Sequence, residues 1–153
     1  MAFANLDPNS SVVVTDLDGN PVDGAQKPSI ELRFHLGIYN ARPDIGAILH
    51  AHPPYATSYA VVNRELPLVS GPGRFILKKV PLLAFAPSGS HELAEIVTAA
   101  FSDRTVLSAL LSGHVLLQLV LTCTKLSITL IGPRTQPRSR FSQVCSRTSL
   151  RDD

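Results

Sequence analysis

Between residues 12 and 111, short apolar runs of strand character alternate with longer segments whose apolar residues fall at helical spacing. Nearly every change of character is punctuated by Pro or Gly. Strands that alternate with helices must bury opposite kinds of apolar face against one another, and they do so as the layers of an α/β domain. Residues 12–15 are β-branched and read as a strand, followed by turns at Asp18-Gly19-Asn20 and at Asp23-Gly24, so the chain is expected to open with a hairpin. Ser29 is placed to cap a helix with Glu31 in its first turn, and Pro43 ends it. Residues 46–52 form a short strand stopped by Pro53-Pro54, and residues 55–63 a helix. Residues 66–69 are expected to be a strand before a Gly71-Pro72-Gly73 loop, and residues 80–86 another strand. Residues 91–101 form a helix with Leu93, Ile96, Val97 and Ala100 on one face, and residues 105–111 a further strand.

A chain of 153 residues is one domain or part of one. With 44% hydrophobic and 17% charged residues and a mean hydropathy of +0.16, it has a core to bury, which excludes disorder over its whole length. A net charge of +2 does not call for nucleic acid or an anionic membrane as a partner. Cys123 and Cys145 make no disulfide framework, and residues 1–20 show no leader pattern, so a cytoplasmic location is expected.

The charges are unevenly spread. Residues 1–104 hold ten acids and eight bases, whereas residues 105–151 hold six bases and no acid. Residues 105–124 carry no formal charge apart from His114 and are long enough to span a membrane, with basic residues beyond them as a flank. The alternatives are buried strand and helix, or a tail not selected for folding.

His50 and His52 carry the strongest chemical signal. Side chains at i and i+2 of a strand share a face, so two imidazoles there can converge on one divalent ion or stand as half-buried histidines at a strand end. Glu31, four residues before His35, is either a general acid/base or a helix-dipole partner. The Ser29 hydroxyl serves an anion or a cap. His35 and His91 read as surface or helix-packing residues, Arg74, Lys78 and Lys79 as a basic run that meets phosphate or solvent, and His114 as a lone histidine at a strand end.

Pro28-Ser29-Ile30-Glu31, Arg42-Pro43-Asp44, His50-Ala51-His52-Pro53-Pro54-Tyr55-Ala56-Thr57 and Pro87-Ser88-Gly89-Ser90-His91-Glu92-Leu93, in that order, resemble the class II aldolase/adducin family, nearest its L-fuculose-phosphate aldolase branch. The resemblance covers roughly residues 10–114. It implies a three-layer αβα domain, a Zn2+ ion held by His50, His52 and His114, Glu31 as the catalytic acid/base, Ser29 as a substrate phosphate contact, and a homotetramer with sites at subunit interfaces. Ile30 stands where the family has a second phosphate-binding serine, and the family's first phosphate loops precede the point matched by Met1. The domain is therefore expected to be incomplete at both ends: residues 1–114 a partial aldolase-like domain, residues 115–153 an atypical tail. The family continues His-Gly-Val-Val into acidic helices, whereas this chain reads His114-Val115-Leu116-Leu117-Gln118. A shifted reading frame after His114 accounts for the break and predicts a poorly packed tail.

The implied reaction is reversible aldol cleavage of a sugar phosphate, L-fuculose 1-phosphate or similar, to dihydroxyacetone phosphate and an aldehyde. The other readings are a non-catalytic adducin-like interaction module, an inactive truncated product, a membrane-anchored module and, below these, a related epimerase or dehydratase.

Overall fold

A computed structural model of the chain describes residues 13–23, 27–114, 116–120 and 141–144. Strands β1 (Val14–Thr15) and β2 (Pro21–Asp23) pair antiparallel as the expected hairpin, and Asp16 ties its turn by accepting hydrogen bonds from the amides of Asp18 and Asn20. Helix α1 (Leu32–Ala41) leads to β3 (Ala47–Ala51), then α2 (Pro54–Val61), α3 (Gly71–Leu77), β4 (Leu82–Leu83), α4 (His91–Ser102) and β5 (Ser108–Leu111). Strands β6 (Leu116–Val120) and β7 (Phe141–Val144) complete the set.

The main sheet has the order β4-β5-β6-β3-β7, with β4 and β5 parallel and the other neighbours antiparallel. Because β6 pairs antiparallel with both β3 and β5, those two strands run the same way and end on the same side. Phe34 and Ile38 of α1 and Leu93, Val97 and Phe101 of α4 close one face against Ile48, Ala109, Leu111 and Leu117. Ala56 and Ala60 of α2 close the other against Leu110 and Val80. Successive residues of β5 thus point into opposite cores, as strand geometry requires, and the layers are helix, sheet, helix. The buried Arg42 guanidinium joins Asp44 through two 2.8 Å contacts and donates to the Phe101 carbonyl at 3.2 Å, fastening the end of α1 to the end of α4.

Several expectations differ from what forms. α1 starts at Leu32, so Glu31 is its capping residue rather than part of its first turn, and Ser29 lies outside it. Residues 66–69 form no strand, and Gly71-Pro72-Gly73 opens α3 instead of a loop. The Ser70 hydroxyl accepts from the Gly73 amide at 3.1 Å, and Pro72 sits in the first turn, where its missing N–H is harmless. The uncharged run at 105–124 holds β5, a turn and β6 instead of a spanning helix. Among the described residues no helix is long and apolar enough to cross a membrane. The tail expected to pack poorly supplies two strands flanking β3, with Leu117 fully buried. The remainder of that expectation, including Cys123 and Cys145, lies outside the described residues, as does the turn expected at Gly24.

Candidate active site

The shared end of β3 and β5 gathers the chemistry. His50 is the penultimate residue of β3 and 4% exposed, and His52 follows the strand and is exposed. Their rings lie on one side, 5.3 Å apart between centroids, as the i, i+2 spacing requires. The turn from β5 to β6 brings His114 beside them, its ring centroid 5.5 Å from each. One ring nitrogen from each of the three lies within 4.8 Å of the others. The long-range step is sheet register: Ala51 pairs with Leu116, which places the preceding turn just past the end of β3.

Glu31 reaches the same point from the start of α1. It makes no side-chain cap bond, and its carboxylate, buried at 8% exposure, accepts from His50 Nδ1 at 2.7 Å and lies 3.7 Å from His114 Nδ1. Burial alone would raise this carboxyl. The hydrogen bond from His50, the nearby His50 and His114 and a hydrogen bond from Ser88 bring it below the usual carboxylate value. Ser29 holds the backbone here, its hydroxyl accepting from the Glu31 amide at 3.3 Å and its carbonyl from Leu32 at 3.1 Å, and its side chain remains exposed.

Ser88, which local spacing in the sequence did not mark as a site residue, also contacts the cluster, its hydroxyl 3.4 Å from His114 Nδ1. Gly89 permits this approach. It has φ +76°, and a Cβ there would lie 2.9 Å from the Ile30 carbonyl oxygen. His35 is buried behind His50, stacked on Phe34 at 4.6 Å, and is no part of the cluster surface. His91 lies away from it, against Arg33. Of the basic run, Arg74 donates to the Leu68 carbonyl and Lys79 pairs with Asp103 at 2.6 Å, so both are engaged elsewhere.

The donor set suits a divalent metal. Burial lowers the pKa of His52 and of His114, keeping their imidazoles neutral with lone pairs free near neutral pH. His50 gives Nδ1 to Glu31, and its other ring nitrogen, Nε2, is buried with no hydrogen-bond partner. Three imidazoles with one position left open are a donor set of catalytic zinc sites, and a carboxylate on a ligand's second nitrogen is a common companion.

Fold and cluster together define an α/β domain with three imidazoles and a buried carboxylate at the end of its sheet. The chain matches the family described as Class II Aldolase and Adducin N-terminal domain over residues 1–118, and it belongs to that family. It is 35% identical over 96 residues to an L-fuculose phosphate aldolase of Methanococcus maripaludis, covering 63% of this chain and 52% of that one. It is 38% identical over 103 residues to a 5-deoxy-D-ribulose 1-phosphate aldolase of Bacillus thuringiensis, covering 67% and 47%. Among solved structures, the L-fuculose-1-phosphate aldolase of Thermus thermophilus superposes with a TM-score of 0.63 at 29% identity, covering 78% of this chain and 58% of that one. The chain spans about half the length of the curated relatives it matches.

Proposed function

We propose that the chain is a zinc-dependent class II aldolase that cleaves a sugar phosphate of the L-fuculose 1-phosphate type to dihydroxyacetone phosphate and an aldehyde. The observation that carries this is the convergence of three histidine nitrogens within 4.8 Å of one another beside the buried Glu31 carboxylate. His50, His52 and His114 would hold the ion, which when bound would supply Lewis-acid polarisation to the substrate. Glu31, an ionised carboxylate at rest, handles the proton: in cleavage it takes up the proton released as the substrate hydroxyl becomes the aldehyde carbonyl and passes it to the carbon left on dihydroxyacetone phosphate, and in condensation the same transfers run in reverse. The Ser29 hydroxyl, exposed two residues before Glu31, takes the substrate phosphate, with the exposed Ile30 beside it. A cytoplasmic homotetramer belongs to the same reading, and the 67% exposure of Phe85, next to Gly113 at the rim of the cluster, supports a covering subunit.

Metal analysis of the purified chain with a coupled assay for dihydroxyacetone phosphate tests the proposal, with L-fuculose 1-phosphate and 5-deoxy-D-ribulose 1-phosphate as substrates. One zinc per chain and cleavage of either compound is the expected result. Zinc without cleavage points to the adducin-like interaction module, and absence of bound metal after zinc loading overturns the site.

A further inference from the structure

Nothing in the chemistry above uses α2, yet this helix touches the cluster's supports at both ends. It begins at Pro54, two residues after His52. At its other end the Ala60 carbonyl accepts from the Gly113 amide at 2.9 Å and from the Asn63 amide at 3.2 Å. Asn63 itself has φ 54°, a left-handed conformation that asparagine tolerates better than most residues, and its Oδ1 accepts from the Ser112 hydroxyl at 3.0 Å. The turn thus gripped is Ser112-Gly113-His114. It is further held by the Ser112 amide on the Leu83 carbonyl at 3.0 Å and by the His114 amide on the Leu111 carbonyl at 3.0 Å. Gly113 has φ +68°, a left-handed conformation that glycine adopts without a Cβ penalty, and it lets the turn reach the end of α2.

We infer that α2 is a strut that sets the position of His114 relative to His52, and that Asn63, through Ser112, is a positioning residue for His114. The inference rests on the proposed metal site. A ligand set drawn from two separate chain segments binds an ion well only if the segments are held at fixed separation. The β3–β6 ladder fixes the strands, but His114 lies beyond the last paired residue, Leu116. Outside the ladder, the Asn63–Ser112 and Gly113–Ala60 bonds tie this stretch to α2, beside its bonds to the Leu83 and Leu111 carbonyls.

The test is Co2+ titration of the full chain, followed by the visible d–d absorption that reports four-coordinate geometry, together with thermal melting of the metal-free proteins. Ser112→Ala removes the donor. Asn63→Gly keeps the left-handed backbone and removes the acceptor, and Asn63→Asp keeps an acceptor oxygen. Loss of a partner bonded directly to a ligand weakens metal affinity by about 10–100-fold, and these contacts act one step further out, so Ser112→Ala and Asn63→Gly are expected to bind Co2+ about three- to tenfold more weakly, with altered d–d intensity, while Asn63→Asp stays near the parent. Melting temperatures that fall while Co2+ affinity and spectrum stay at the parent's values overturn the inference and leave the site intact. A parent chain that binds no Co2+ overturns the site, and the inference with it.

Discussion

At the residue scale, the site divides into what local spacing shows and what the fold must supply. His50 and His52 are legible because period two places both on one face whatever the sheet. Their convergence with Glu31 and His114 is not, since it depends on register between segments dozens of residues apart. The ordered motifs of the family bridge that gap and contain Ser88 without giving it a role, but they give no hint of Asn63; the contacts of both are nonlocal hydrogen bonds from turns. Glu31 carries the first prediction. Glu31→Gln keeps shape and most contacts but cannot carry a proton, and general acid/base groups are worth about 10²–10⁴-fold. Turnover is expected to fall by that much with zinc content unchanged, and activity within about threefold of the parent, a barrier change under ~1 kcal/mol, assigns the proton to another group. His35 carries the second. Burial, with His50 nearby, lowers its pKa from 6.5 to about 4. The folded state therefore binds fewer protons than the unfolded state between those values. Its contribution is whole above pH 6.5 and is lost as pH falls toward 4, by about 3 kcal/mol at most. Urea unfolding of the chelator-treated protein at pH 7.5 and 4.5 measures this, and His35→Leu should flatten the difference. An unchanged difference rejects the assignment.

At the element scale, α1, α2 and α4 are legible in the sequence within a few residues, and α3 is not. α4 is where its apolar spacing places it, and the structure adds a cap, with Ser90 Oγ accepting from the Leu93 amide at 3.1 Å. α3 is hidden in the sequence because two glycines and a proline in its first three residues resemble a loop, while a serine cap and a proline without an N–H to satisfy suffice to start a helix. Residues 66–69 have strand-like composition but no strand partner, and without a ladder that composition decides nothing. The α1–α4 crossing yields a prediction opposite to helix propensity. A Cβ on Gly37 would meet Thr98 Oγ1 at 2.1 Å and Thr98 Cβ at 3.4 Å. Alanine favours an isolated helix over glycine by about 1 kcal/mol, but overpacking costs about 1–3 kcal/mol. Gly37→Ala is therefore expected to destabilise the chain by about 1 kcal/mol, and by no more than about 2, in chemical unfolding, and Gly37→Ala with Thr98→Ala to recover at least part of the loss. A stabilised single variant would show that the helices separate freely.

At the scale of the whole molecule, the layered architecture followed from alternation alone, and the tail did not follow the expected course. Its described parts join the sheet, yet this does not require side chains selected for the purpose. A β-ladder is built from backbone groups that every residue but proline carries, and an apolar stretch such as residues 116–120 pairs with β3 and β5 in whatever frame it was encoded. Residues 105–151 still lack any acid, and the family match ends at residue 118 with about half of each curated relative's length unmatched. We propose a shifted frame after His114, which accounts for the loss of acids and for the end of the family match, since a displaced frame scrambles composition without removing hydrophobicity. It predicts that the nucleotide sequence, with one base inserted after the codon of His114, reads His-Gly-Val-Val-Thr-Val-Gly and continues into acidic, alanine-rich helices. The chain expressed from that restored frame should melt higher than the present one, because its added helices are patterned to bury a face. Sequencing the gene and its transcript decides the matter, and a neighbouring frame that yields no family-like product after His114 rejects it.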